Sequence, residues 1–280
     1  GYSLLHFSAF GNDTDIIDKL VKELGFTTID VEDNYKRTPL FYACEKGAYY
    51  SARSFIVDYG ATVNYKDIDN ATPIHYAAKS GNSRLFTLLL DHCSSIDDFT
   101  AADNFGRTVL HYAAEVGSVD TIKFMLDFPA SEYQGSDKNN DDPYLFRNQL
   151  VDSITSAGYS ALHSAAERNH PYVIDLLVNN YGFDINQTDV QHETPLICAA
   201  KTNSIESVII LIKLGADLSI KDSESKTALD IAYQRNYDQV SEILEKNGGT
   251  SERFASAIAS PALESSKIEP LNAEEKLEPL

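Results

Sequence analysis

The sequence predicts an all-α solenoid of helix-turn-helix units joined by β-hairpin loops, and three observations carry that prediction. First, a Thr- or Ser-led motif recurs: Thr38-Pro39-Leu40, Thr72-Pro73-Ile74-His75, Thr108-Val109-Leu110-His111, Ser160-Ala161-Leu162-His163, Thr194-Pro195-Leu196 and Thr227-Ala228-Leu229, with Ser3-Leu4-Leu5-His6 as a truncated first copy. From Thr38 the steps are 34, 36, 52, 34 and 33 residues. Second, a pair of small residues follows most starts (Ala43-Cys44, Ala77-Ala78, Ala113-Ala114, Ala165-Ala166, Ala199-Ala200), so one helix presents a thin face that a neighbour can approach closely. Third, an apolar set at i, i+1, i+4 and i+5 comes next, as in Leu85, Phe86, Leu89, Leu90 or Val173, Ile174, Leu177, Val178. That is the period of a second helix with one broad buried face.

Taken in order, the first copy keeps the outer-helix set Ile16, Ile17, Leu20, Val21 but has no hairpin before it. The chain opens at Gly1, already inside a motif, which predicts a fragment of something longer whose capping neighbour lies outside it. In the complete copies Thr or Ser serves as the inner-helix cap, and Pro39, Pro73 and Pro195 occupy the first turn, where a missing N–H costs nothing. Gly60-Ala61, Gly182 and Gly215-Ala216-Asp217 sit just past outer helices, where a left-handed C-cap favours glycine, and Asp-rich turns lead into the next Thr. The 52-residue step places an insertion at about 128–157. Its polar run Ser136–Asp142 is followed by Asp142 as cap, Pro143, and apolar Leu145, Phe146, Leu150 and Ile154, which predict a short extra helix. The preferred reading is a helix covering an exposed flank; uncovered Phe146 and Leu150 would instead indicate a binding finger. The seventh copy carries Ser241 and Glu245 where others are apolar, as a solvent-facing terminal repeat requires. Periodicity ends at Lys246. The domain reading is therefore 1–246 as about seven repeats and 247–280 as a flexible acidic tail, with helical turns expected over Arg253–Ala259 and a duplicated segment at 267–271 and 276–280.

These residues resemble the ankyrin repeat family, whose T-P-L-H-x-A-A and G-A-D-V-N signatures stand here as Thr72-Pro73-Ile74-His75-Tyr76-Ala77-Ala78 and Gly60-Ala61-Thr62-Val63-Asn64. The match covers residues 1–246. The resemblance implies a curved right-handed solenoid with short inner helices and hairpin tips lining a concave face that usually binds another protein. It also implies that His6, His75, His111 and His163 hydrogen-bond the neighbouring hairpin backbone. The physics stands beside the resemblance: one helix pair of this size cannot bury its apolar face, and only stacking gives a continuous core.

Composition narrows the function. With 280 residues, 43% hydrophobic and 23% charged, the chain is a folded one. Its formal net charge of −19 repels phosphate backbones and anionic headgroups, so no nucleic acid is expected as partner, and no apolar run predicts direct membrane insertion. Cys44, Cys93 and Cys198 share no CxxC spacing; Cys44 and Cys198 fall on inner-helix apolar positions, whereas Cys93, past an outer helix, is expected to be exposed. A cytoplasmic or nuclear, monomeric fragment fits best. The four in-register histidines recur one per repeat, about 10 Å apart, too far for one ion. No phosphate-binding loop, nucleophile elbow or metalloprotease motif occurs, so no catalytic residue, metal or cofactor is assigned.

The function expected is a non-catalytic protein–protein interaction module, scaffold or regulatory domain, binding on its concave face a protein whose contact surface is basic. The alternative is the regulatory arm of an enzyme whose catalytic domain lies outside these residues. Candidate contact residues on the tips are Tyr35, Arg37, Tyr65, Phe105, Arg107 and Tyr159, because exposed aromatics and arginines dominate binding energy. Glu45, Lys46, Glu115, Glu167 and Arg168 form the inner-helix rim. Removing Tyr35 with Phe105, or Arg37 with Arg107, is expected to weaken binding while leaving the thermal melt unchanged.

Overall fold

Each Thr or Ser that marks the period starts a helix. In the computed structural model, which describes residues 1–93, 95–127 and 145–251, the helices pair in chain order. α1 (Leu4–Ala9) pairs with α2 (Thr14–Asp18, continued by a π-helical turn at Lys19–Glu23), and α3 (Pro39–Glu45) with α4 (Tyr49–Arg53, likewise continued at Ser54–Asp58). α5 (Pro73–Ser80) pairs with α6 (Ser83–Leu90), and after a short α7 (Ile96–Thr100) come α8 (Val109–Val116) and α9 (Val119–Asp127). A single α10 (Leu145–Val151), outside the helix pairs, precedes α11 (Ala161–Glu167) with α12 (Pro171–Tyr181), α13 (Pro195–Lys201) with α14 (Ile205–Lys213), and α15 (Ala228–Gln234) with α16 (Asp238–Lys246). Inner helices α1, α3, α5, α8, α11, α13 and α15 pack in succession, each on the next. The alanine pairs are fully buried between them. Outer helices close the second layer with Leu85, Phe86, Leu89, Val173, Ile174 and Leu177, each burial stabilising by roughly 2 kcal/mol.

The caps show why the histidines recur. His6, His75, His111 and His163 each accept the cap residue's own N–H on Nδ1, at 3.0 Å from Ser3 and 3.2 Å from Thr72, Thr108 and Ser160. Nε2 of each lies 3.0–3.1 Å from a carbonyl of the following loop: Arg37, Ala101, Tyr159 and Glu193 in turn. Both ring nitrogens are engaged, and each ring ties one repeat to the next. In α3 the position is Phe41, and Thr38 Oγ1 is left buried with no partner. Thr38→Val should therefore be neutral or slightly stabilising, whereas Thr72→Val, which removes a hydroxyl 2.9 Å from His75 Nδ1, should cost about 1–2 kcal/mol. Equal losses in urea unfolding would contradict this account.

The loops expected as β-hairpins are tight turns with no strand among the described residues. Each closes on itself, as in Asp33 N to Arg37 O at 3.0 Å and Asp67 N to Ala71 O at 3.0 Å, and gives its neighbour a single backbone bond. Ile68 N donates to Tyr35 O, Asn104 N to Asp69 O, Ser156 N to Phe105 O, Val190 N to Ala157 O and Ser223 N to Gln191 O, all at 2.8–3.0 Å. One bond per junction is too little for a strand ladder but holds the tips edge to edge. Gly106 is required there: φ is +79°, and a Cβ would lie 2.9 Å from Ser156 N. Gly182 ends α12 in the left-handed conformation, φ +72°, as the cap pattern predicts.

Several expectations are corrected. α7 lies between the third and fourth repeats, where no element was predicted; its Phe99 is fully buried and meets Phe86 edge-on at 5.7 Å. Cys93 is half-buried rather than exposed, and burial, with the Asp98 carboxylate near, pushes its thiol up to about 12. In the insertion, residues 128–144 and the Leu145 and Phe146 side chains lie outside the described residues. Leu150 is buried, and Arg147 Nε donates to Leu126 O at 2.7 Å while its guanidinium lies over Tyr181 at 5.4 Å. α10 thus braces the outer layer between α9 and α12, which favours flank covering over a finger; Ile154, counted with its apolar set, lies beyond the helix and is half exposed. Ser241 is buried, because its hydroxyl satisfies Tyr237 O at 3.0 Å; Glu245 is exposed as expected. Beyond 247 the described residues stay on the last repeat: Thr227 Oγ1 donates to Thr250 O at 2.7 Å and Ser251 Oγ to Asp230 at 2.5 Å, across the cap of α15. The turns expected at 253–259 and the duplicated segment lie outside the described residues. At the other end Leu4 and Ile16 are 56% and 50% exposed, although Pro39, Pro73, Ser51 and Leu85, their counterparts in the next repeats, are buried.

Candidate interaction surface

Three rows of side chains run across the repeats: one residue before each cap, and four and seven residues after it. The residue before the cap is Tyr2, Arg37, Ala71, Arg107, Tyr159, Glu193 and Lys226 in order, and the residue four after it is Phe7, Tyr42, Tyr76, Tyr112, Ser164, Cys198 and Ile231. The row seven after the cap carries Phe10, Glu45, Lys79, Glu115, Glu167, Lys201 and Gln234. Aromatic rings therefore dominate the first four repeats, and polar or small residues the last three. Neighbouring rings touch, as in Phe10–Tyr42 at 5.4 Å and Tyr76–Tyr112 at 6.2 Å.

Beneath the tyrosines lies a pairing that the sequence reading missed. An aspartate five residues before the cap accepts backbone N–H bonds from its own turn and the hydroxyl of the tyrosine four after the cap: Asp33 with Tyr42, Asp67 with Tyr76 at 2.9 Å, and Asp103 with Tyr112 at 2.9 Å. Burial alone would raise the Asp33 carboxyl, but the bonds from Tyr42 and from the Arg37 and Tyr35 amides hold it below the usual value. Burial and the Asp33 bond push the Tyr42 hydroxyl up. The nine-residue Asp-to-Tyr spacing, repeated three times, was the available signal.

Arg37 and Arg107 belong to this layer, which corrects their assignment as free anchors. Arg37 Nε lies 3.2 Å from Asp67 and its guanidinium covers Tyr76 at 4.8 Å and Tyr35 at 5.4 Å. Arg107 Nε lies 2.8 Å from Asp103, with its guanidinium over Tyr112 at 4.7 Å and Phe105 at 5.2 Å. Both carboxylate side chains are wholly buried, so each arginine neutralises a charge cut off from water. Tyr35 and Phe105 remain 51% and 53% exposed, each with a guanidinium over its ring. Tyr65 is half-buried and its hydroxyl donates to Glu32 in the preceding loop. Glu45 is half-buried and Lys46 exposed, the latter with its ammonium 5.8 Å from the centre of Phe10.

Six of the predicted residues share one groove. Phe105, Arg107, His111, Glu115, the 155–157 turn, Tyr159, Ser164, Glu167 and Arg168 line an open cavity of about 440 Å³ between the fourth and fifth repeats. Arg168 pairs with Glu115 across it at 3.3 Å. Tyr159 is half-buried, its ring 5.2 Å from His163 and its hydroxyl accepting from Cys198 Sγ at 3.5 Å. Tyr35, Arg37, Glu45 and Lys46 sit earlier in the chain, at the repeat positions that Phe105, Arg107, Glu115 and Arg168 hold at the groove. Among the described residues no helix is long and apolar enough to cross a membrane.

A family model described as ankyrin repeats matches residues 1–67, 55–142 and 162–252. The transient receptor potential cation channel subfamily A member 1 of Drosophila melanogaster is 26% identical over 198 residues, 70% of this chain and 14% of the channel. The putative ankyrin repeat protein FPV244 of Fowlpox virus (strain NVSL) is 31% identical over 150 residues, 54% of this chain and 18% of that protein. The chain thus spans a small part of either relative. The crystal structure of the human ASB11 ankyrin repeat domain superposes with a TM-score of 0.67 at 21% identity, covering 89% of this chain and 99% of that one.

Proposed function

This chain belongs to the ankyrin repeat family, and on that premise we propose that it is a protein-binding module that engages its partner along the rows of tip and inner-helix residues. Repeats of this family are generally protein–protein interaction modules and typically non-catalytic. The observation that carries the reading is the meeting of Phe105, Arg107, Glu115, Tyr159, Glu167 and Arg168 in one groove, with the half-exposed Tyr35 at the position of Phe105 two repeats earlier. A rigid scaffold holds these groups in place, so little ordering cost opposes binding. The partner's contact surface is basic, matching a net charge of −19.

Affinity capture with the chain as bait identifies the partner, and Tyr35→Ala with Phe105→Ala should then weaken that complex more than tenfold while the melt stays as in the parent. Unchanged affinity would refute the placement. The association rate should also fall as salt rises from about 0.01 M to about 0.15 M, where the Debye length shrinks from about 30 Å to about 8 Å; a constant rate would remove the basic partner surface from the reading.

A further inference from the structure

The groove exists because the fifth repeat breaks two rows at once. In the second, third and fourth repeats a tyrosine four residues after the cap is held by an aspartate nine residues before it, as Asp67 holds Tyr76 and Asp103 holds Tyr112. In the fifth repeat those positions are Ser164 and Thr155, and Thr155 Oγ1 is turned to its own loop, accepting Tyr159 N at 3.0 Å. A ring and its anchoring carboxylate are both missing at the place where the row of rings, after Tyr112, would continue. What remains is a cavity of about 440 Å³, within the roughly 300–1,000 Å³ of sites that enclose a small molecule or a large side chain.

The walls state what the vacancy suits. Phe105 and Tyr159 flank it, and His111 lines it as a neutral ring, its imidazole pushed down to about 4 by burial. The charges are unequally committed. Arg107 is bound to buried Asp103 and Arg168 to Glu115, whereas the Glu167 carboxylate makes no ion pair or hydrogen bond among the described residues.

We propose that this groove receives an aromatic side chain from an extended segment of the partner, and that a lysine or arginine next to it in that segment is set against Glu167. The ring takes the place that tyrosine fills in the three preceding repeats, between aromatic walls and near guanidinium groups that favour a ring face. The proposal rests on the partner-binding reading above and names the chemistry of one subsite within it.

The probe is a phage-displayed library of random dodecapeptides panned on the chain, with the best binder synthesised and its affinity measured by fluorescence anisotropy. Recovered sequences should share an aromatic residue beside a lysine or arginine. Ser164→Tyr, which refills the vacancy with the residue its neighbours already accommodate, should weaken the peptide more than tenfold with the melt unchanged, and Glu167→Gln should weaken it severalfold at low salt and less at high salt. Should Ser164→Tyr melt below the parent, the smaller filler Ser164→Leu is read instead. Recovery of no peptide, of peptides without an aromatic residue, or of peptides that bind the filled variant as they bind the parent would overturn the proposal. Among these, peptides insensitive to Ser164→Tyr but lost on Tyr35→Ala with Phe105→Ala would refute the groove alone; peptides insensitive to both would refute the wider reading as well.

Discussion

Arg107→Ala is expected to lower unfolding stability by about 2 kcal/mol, and Arg37→Ala by a similar amount. Each substitution leaves a wholly buried aspartate, Asp103 or Asp67, without the cation that offsets its charge. Breaking a buried pair commonly costs about 3–5 kcal/mol. Here the arginines are partly exposed, and Asp103 keeps the Phe105 and Arg107 amides and the Tyr112 hydroxyl, so the lower figure is expected. Arg53→Ala is the control: its contact with Asp58, at 3.9 Å between half-exposed groups, should be worth close to nothing. Urea unfolding monitored by circular dichroism measures all three. If Arg107→Ala unfolds with the control, the arginine is free after all, and its loss can be read purely as lost binding.

Acid should destabilise the solenoid well above the pH at which carboxylates titrate. Burial, only partly offset by the bond to Ala101 or Tyr159, lowers His75 and His111 from 6.5 to about 4. A base whose pKa is lowered by folding leaves stability intact above pH 6.5, where both states are neutral. As pH falls through 6.5 the unfolded chain binds protons first and stability is lost, levelling off near pH 4; each histidine accounts for about 3 kcal/mol of this. His163 is lowered in the same direction by burial and adds to the loss. Asp33, held below the usual carboxylate value, contributes only at the acid end of the range. Melting temperatures taken between pH 7.5 and pH 4 should fall steeply in the parent and less steeply in His75→Gln with His111→Gln. Identical slopes would show that these rings do not control the acid response.

The path from sequence to site was uneven, and particular residues show why. The histidine register was readable because it repeats with the cap, and the structure places each ring on the neighbouring loop as the family resemblance implied. Ser241 misled because a hydroxyl that bonds its own helix carbonyl at i−4 is compatible with burial, which composition alone does not reveal. α7 was missed because five residues are too short to show a helical period, although Phe99 anchors them fully. The arginines were misread because an Arg one residue before a cap looks the same in sequence whether it faces solvent or closes over an aspartate.

By itself, the sequence determined the repeat: the period, the caps, the small-residue faces and the apolar outer-helix sets, all of which depend on neighbours within about 35 residues and so leave a trace in spacing. Only the tertiary structure decided which polar groups are spent and which are left over. Arg37 finds its carboxylate 30 residues on, Arg168 meets Glu115 53 residues back across the insertion, and Glu167, one residue from Arg168, meets no cation among the described residues. Those outcomes depend on which side chains stacking brings within about 4 Å. Burial sets their energetic weight, since removing one partner of an exposed pair costs little, whereas removing one partner of a buried pair strands an uncompensated charge and costs several kcal/mol.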